Sequence, residues 1–350
     1  MSGRPSPRHA IKLAIAYGLY YTGLLRLWQA IVLRRRAVVL MYHRVLTPDE
    51  RKRSGSHPAL VVDRETFEQQ MAVLKRRFVV LSLEEFADRL ERKMPLPNSS
   101  CVITFDDGWR DNYVNALPAL AKHGLPSVVF LPVNYIGRDR LFWPEALTHL
   151  LLSVVDAVRR SPGRRTRFET LLSPVGLHTV LDLAGDSPRQ EVIAIVARQK
   201  QIPRPEMEAL LAALERELNV RRGDLGATDG FIDWDQAAQM SENGVTFGGH
   251  GAEHLLLTQV TPAEQESELR ASKAMLDRLN EPVASFSYPN GYFTPEIAER
   301  VKASGYRLAF TTSRGFVSCD HDPFAVSRLN VHENVTASTP MFLARVTGIL

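Results

Sequence analysis

Short apolar runs alternate with segments of helical periodicity along most of the chain. AVVLMYH (37–43), CVITF (101–105) and PSVVFLP (126–132) are nearly unbroken apolar stretches, as expected of strands covered on both faces of a parallel sheet. Between them, DRETFEQQMAVLKRR (63–77) sets Phe67, Met71 and Leu74 on one helical face. FVVLSLEEFADRL (78–90) passes from strand to helix, with Ser82 and Glu85 at capping-box spacing. NYVNALPALAKHG (112–124) reads as a helix ended by Gly124. TPDERKRSGSHPA (47–59) reads as a polar loop.

The rhythm breaks over residues 138–229. WPEALTHLLLSVVDAVRRS and RPEMEALLAALERELNV are helical in pattern and joined by polar, Pro/Gly-rich segments, so this stretch is a mostly helical insertion. Alternation then resumes. VTFGGH (245–250), ASFSYPNG (284–291), YRLAFTT (306–312) and FAVSRLNV (324–331) are strand candidates. They are separated by helices at 234–244, 261–280 and 294–305; in the second, Thr261 and Glu264 form a capping box around Pro262. Strands alternating with helices predict a parallel sheet. With neither a Gly-x-Gly-x-x-Gly nor a Walker loop in the chain, the α/β fold expected is a distorted (β/α)7-type barrel. Chemistry then gathers at the carboxyl ends of the strands, where His43, Asp106, Asp107, His250 and the turn after Tyr288 fall.

Composition adds one feature. At 45% hydrophobic and 23% charged residues, the 350-residue chain is ordinary for a globular core, and Cys101 and Cys319 alone imply neither a disulfide framework nor a cysteine zinc site. The charge is uneven, however. Residues 1–40 carry seven basic side chains (Arg4, Arg8, Lys12, Arg26, Arg34, Arg35, Arg36) and no acidic one, although the whole chain nets only +4. Leu13–Leu33 is largely apolar, with Tyr17, Tyr20, Tyr21 and Trp28 suited to a membrane interface. Residues 1–36 are therefore expected to form a membrane-associating N-terminal helix ahead of the main domain, 37–350. It could lie in the interface, span the bilayer, or pack on the protein's own body. The basic cluster favours the cytoplasmic face for the main domain; an extracytoplasmic domain on an N-terminal anchor is the alternative. No nucleic-acid motif accompanies the basic residues.

Asp106 and Asp107 end a buried strand side by side. In an extended chain they would face opposite ways, but Gly108 lets the backbone turn and bring both to one cavity. Two close carboxylates need a cation or a proton between them; otherwise one caps the next helix and the other is solvated. His250 and His254, four apart in FGGHGAEHLLL, would share one face of a helical turn, as zinc ligands do. An Asp and two His make three protein ligands with a position left for water, and a second Asp can serve as base.

TFDDGWRDNY, GGHGAEHLLL and FSYPNG, in this order, resemble the polysaccharide deacetylases of carbohydrate esterase family 4, the NodB-like enzymes. The resemblance covers about residues 37–335, the insertion set aside. It implies a distorted barrel, a bound divalent metal, usually zinc, and hydrolysis of N-acetyl groups on amino sugars in glycans. Carried onto this chain, Asp106 is the catalytic base, Asp107, His250 and His254 bind the metal, and the N–H of Asn290, beside Tyr288, faces the oxyanion. MYH, ending in His43, resembles the N-terminal motif of the branch acting on exopolysaccharides, which makes His43 the acid for the leaving amine, with His332 as the other candidate. Two positions depart from the family. Gly251 stands where a Ser or Thr usually follows the first histidine. Ser287 stands where an Arg often orients the base, a task Arg328 could take over. Trp143, Trp234 and Tyr292 could wall a sugar site or simply pack. The implied partners are an N-acetylated glycan and a membrane surface. Two other readings are a carbohydrate-binding protein that has lost catalysis and an inverted zinc-peptidase motif, His250-Glu253-His254 with Glu253 as base.

Overall fold

A computed structural model describes residues 7–183, 188–279, 281 and 283–350. Arg4 and the Arg8 side chain of the basic head, residues 184–187 of the insertion, and Asn280 at the expected end of the 261–280 helix lie outside the described residues.

The strands are β1 (Ala37–Tyr42), β2 (Arg44–Leu46), β3 (Val61–Asp63), β4 (Val79–Val80), β5 (Ser100–Phe105), β6 (Ser127–Leu131), β7 (Val245–Gly249), β8 (Ser285–Ser287), β9 (Leu308–Phe310) and β10 (Leu329–Asn330). Eight form one sheet in the order β10-β1-β5-β6-β7-β8-β9, with β4 also on β5, and β2 pairs β3 separately. Every pairing is parallel. β1 accompanies β5 from Ala37↔Ser100 to Tyr42↔Phe105. The other edge of β5 is shared, its start taken by β4 and its end by β6. Both β1 and β5 are buried along their whole length, which is why they carry unbroken apolar runs rather than alternation.

The sheet curls, and residues 326–330 run along its seam. Val326 bridges Phe310 of β9, and Leu329 pairs Leu40 of β1. This is the distorted barrel that the alternation predicts. It also places Arg328, wholly buried, between the first and last strands.

Residues 48–58 and 138–230 form a second compact unit. Its helices include Trp143–Arg160, Arg165–Leu172, Arg189–Val196 and Arg204–Leu218, and its own core holds Leu147, Leu150, Val154, Phe168, Leu211 and Leu214. Trp143 packs against that core. The segment read as a polar loop belongs here instead. After a short helix, Pro48–Arg53, Ser54 Oγ and the Gly55 N–H donate to the buried Asp229 carboxylate at 2.7 and 2.6 Å, and Ser56 Oγ donates to Glu145. Periodicity cannot reveal such a tie, because polar residues satisfied by each other leave no apolar signal.

The N-terminal head is two helices, not one: α1 (Pro7–Tyr21) and α2 (Leu24–Val32), broken at Thr22–Gly23. No helix among the described residues is long and apolar enough to cross a membrane. One face of α2 packs on the main body. Leu25, Gln29 and the following Leu33 are buried, Trp28 Nε1 donates to the Thr347 carbonyl (3.0 Å) and Gln29 Nε2 to that of Arg77 (3.0 Å). The other face, Leu24, Leu27, Trp28 and Ile31, is exposed.

Candidate active site

The end of β5 turns abruptly. Asp107 (φ 76°) and Gly108 (φ 68°) both adopt the left-handed conformation, so the adjacent carboxylates no longer point to opposite faces. A side chain at 108 would meet Leu131 Cδ2 at 2.6 Å, and positive φ is itself costly for other residues. Asp106 and Asp107 are both buried and take different partners.

Asp107 Oδ1 lies 3.4 Å from His250 Nε2 and 3.4 Å from His254 Nε2. Ligand atoms of the three side chains are all within 4.8 Å of one another, close enough for one cation to bridge. The supporting contacts fit that use. His250 Nδ1 stands 2.7 Å from the Ser287 carbonyl, which can only accept, so Nδ1 carries a proton and Nε2 is the ring nitrogen turned to the cluster. Asp107 Oδ2 is occupied by Trp109 Nε1–H at 3.0 Å, leaving Oδ1 for the cluster. Two imidazole nitrogens and a carboxylate oxygen are a donor set suited to zinc.

Asp106 belongs to a separate clamp. Arg328 Nη1 and Nη2 reach its two oxygens at 2.7 Å each. Arg328 also donates to the Thr311 carbonyl, Thr104 Oγ1 and Ser287 Oγ. Ser287, where the family often carries Arg, thus supports an arginine delivered from the seam. His43, at the end of β1, places Nε2 4.0 Å from Asp106 Oδ2. Its carbonyl is held by Asn112 Nδ2 (2.8 Å), and its buried Nδ1 has no hydrogen-bond partner among the described residues.

The electrostatics separate the groups. Burial works to raise the Asp107 carboxyl, but the His250 contact and the charges of His254 and His43 outweigh it and hold it well below the usual carboxylate range. Asp106 is also lowered, Arg328 outweighing burial. His254 is pushed down to about 4, chiefly by burial and then by His250. His250 is raised, the carboxylates overcoming burial. Burial lowers His43, and the charges of Asp107 and Asp106 offset only part of that.

Other expectations need correction. His250 and His254 do not share a helical turn. They sit in a loop after β7 in which Gly251 (φ 79°) and His254 (φ 55°) are both left-handed. This removes the inverted-peptidase reading, which needs a helix, and Glu253 is hydrogen-bonded to Asn134 Nδ2 at 2.8 Å. Tyr288 is fully buried and its hydroxyl donates to the Phe324 carbonyl (3.0 Å), so its side chain props the turn. Asn290 caps that turn in the left-handed conformation (φ 56°). His332 precedes the short helix Glu333–Thr336, and the histidine beside Asp106 is His43. Trp234 and Tyr292 are exposed. Sequence reading missed Trp109, whose only signal was its place beside the paired aspartates. It also missed Glu268, which accepts from the N–H groups of Ala252 (2.9 Å) and Glu253 (3.0 Å) and carries no local signal at all.

Comparison with known proteins bears on the family and the fold. The family model described as polysaccharide deacetylase matches residues 93–159 and 206–309. YxkH of Bacillus subtilis (strain 168) is 21% identical over 302 residues, 86% of this chain and 73% of that protein. Among solved structures, the Streptococcus pyogenes deacetylase PplD in complex with acetate aligns with a TM-score of 0.55 at 20% identity, covering 89% of this chain and 98% of that one. IcaB from Ammonifex degensii aligns at 0.53 and 18% identity, over 89% and 97%. The chain belongs to the polysaccharide deacetylase family, the NodB-like hydrolases whose motifs its sequence resembles.

Proposed function

We propose that the chain removes N-acetyl groups from amino sugars of a glycan, an exopolysaccharide or a lipid-linked saccharide, using a divalent metal, zinc by its donor set, held by Asp107, His250 and His254. The observation that carries this is the division of labour between adjacent carboxylates: Asp107 Oδ1 faces two imidazole nitrogens at 3.4 Å, while Asp106 is clamped by Arg328. When bound, the metal would act as a Lewis acid on the acetamide carbonyl and make water more acidic. Asp106, kept ionised by Arg328, takes a proton from the attacking water. His43, whose Nε2 lies 4.0 Å from Asp106 Oδ2, delivers to the leaving nitrogen the proton that Asp106 took up, so that acetate and a free amine result. The Asn290 N–H supports the developing oxyanion. Zinc binding tests the assignment of ligands. Metal-stripped protein should take up one equivalent, Asp107→Asn should lose most of the affinity, and Asp106→Asn should keep it. Equal retention by both variants would refute the division.

We also propose that α1 and α2 hold the chain on an anionic bilayer surface. Leu24, Leu27, Trp28 and Ile31 recur at helical spacing on the exposed face of α2, and Ile11 and Ile15 are exposed on α1. Lys12, Arg26 and Arg34–Arg36 supply positive charge beside them. Apolar area plus basic residues is the composition of an interfacial anchor. The full chain should co-sediment with vesicles containing anionic phospholipid, less so at high salt, and Leu27→Asp with Ile31→Asp should abolish it. Undiminished binding by that double variant would refute the anchor.

A further inference from the structure

The loop between the two histidines owes its shape to a residue outside it. Glu268, on the Pro262–Arg278 helix, is buried. One of its oxygens, Oε2, accepts from both the Ala252 N–H (2.9 Å) and the Glu253 N–H (3.0 Å), with Oε1 also 3.3 Å from the latter, and the Leu255 N–H adds to the same carboxylate. These amides lie in and just beyond the segment that joins His250 to His254. Successive N–H groups in a chain that alternates between left- and right-handed residues form a concave anion site. Here the protein supplies the anion itself.

The same contact accounts for Gly251. A Cβ at position 251 would stand 2.7 Å from Glu268 Oε2, and φ of +79° disfavours any other residue. A side-chain hydroxyl after the first histidine and a carboxylate seated on the following amides compete for one space. In this chain the carboxylate has it.

We infer that Glu268 is a positioning residue for the metal site: its carboxylate clasps the backbone of residues 252–255 and so sets His254 against His250 and Asp107. The inference rests on the metal reading proposed above for Asp107, His250 and His254. Glu268 is not one of the three side chains whose ligand atoms cluster. It acts through the loop, as outer partners of metal ligands do, and loss of such partners typically lowers affinity about 10–100-fold.

The test uses the full chain as wild type, Glu268→Gln and Glu268→Ala. Glu268→Gln is nearly isosteric and keeps one acceptor oxygen, so it serves if Glu268→Ala fails to fold. Zinc affinity is measured by competition with a chromophoric chelator, and the visible spectrum of the cobalt-substituted protein reports ligand geometry. Amide exchange of residues 252–255 is followed in metal-free protein. We expect zinc affinity to fall at least roughly 10-fold in Glu268→Ala and less in Glu268→Gln, with an altered cobalt spectrum and faster exchange confined to the loop. A variant of lowered melting temperature with unchanged zinc affinity and cobalt spectrum would show a merely structural role and overturn the inference. Wild-type protein that binds no divalent ion would overturn the metal reading and this role with it, whereas zinc bound equally by all three proteins would sink the Glu268 role alone.

Discussion

Replacing Arg328 with Met should change stability and pH dependence together, and the structure sets the sizes. The guanidinium is wholly buried. It donates to Thr311 O, Thr104 Oγ1, Ser287 Oγ and both Asp106 oxygens, which uses all of its N–H groups. Met fills similar volume but leaves the Asp106 carboxylate buried without its counter-charge. Breaking one side of a buried pair costs about 3–5 kcal/mol. Asp106 can relieve that cost by taking a proton, so its pKa would rise in the variant. In the wild type the folded-state pKa of Asp106 is depressed, so its contribution to stability is present above the unfolded value near 4 and is lost as pH falls through the folded value. The difference between wild type and variant should therefore be largest at neutral pH and shrink in acid. The acid limb of activity should move upward, because the base is protonated at pH values where wild type holds it ionised. Urea unfolding of metal-free protein at two pH values and a pH profile of acetate release measure both effects. A destabilisation below about 1 kcal/mol at pH 7, with the acid limb unmoved, would refute the reasoning.

Two other perturbations have defined outcomes. Glu281 is pushed up to about 7, burial outweighing the Phe247 backbone hydrogen bond, so the folded chain holds a proton that the unfolded chain has released and stability declines as pH rises from about 4 to 7. Glu281→Gln should be more stable than wild type by about 1–2 kcal/mol at pH 8 and no more stable at pH 4, by urea unfolding; a gain of equal size at both would contradict this. Trp109→Phe removes the N–H on Asp107 Oδ2 while keeping a ring under Arg44, whose guanidinium lies 4.3 Å from the indole centroid. Zinc affinity should fall about 10-fold, and unchanged affinity would show that the indole does not orient Asp107.

Much of the scaffold was legible because parallel strands announce themselves locally. β1 and β5 are buried on both faces, so their runs AVVLMY and SCVITF are almost wholly apolar, and Asp106 stands out where the second run stops. Pairing the carboxylates depended on a backbone reversal that Gly108 made readable. The histidine motif was read rightly as a pair and wrongly as a helix, since spacing alone does not distinguish a helical turn from a loop with left-handed residues at 251 and 254. What stayed hidden was non-local. Glu268 lies 16 residues from Ala252, Asp229 lies 175 from Ser54, and Arg328 lies 222 from Asp106. Arg328 had a sequence signal only through the family resemblance, in the arginine absent at Ser287. The break at Thr22–Gly23 was likewise obscured, because apolar residues continue on both sides of it.

The most direct test is acetate release from N-acetylglucosamine oligomers by the full chain, metal-stripped and then zinc-restored, beside Asp106→Asn restored in the same way. We expect release only with zinc, reduced at least about 100-fold in Asp106→Asn although that variant binds zinc normally. Release that persists after metal removal, or an Asp106→Asn enzyme as active as wild type, would contradict the assignment of one carboxylate to the metal and its neighbour to the proton.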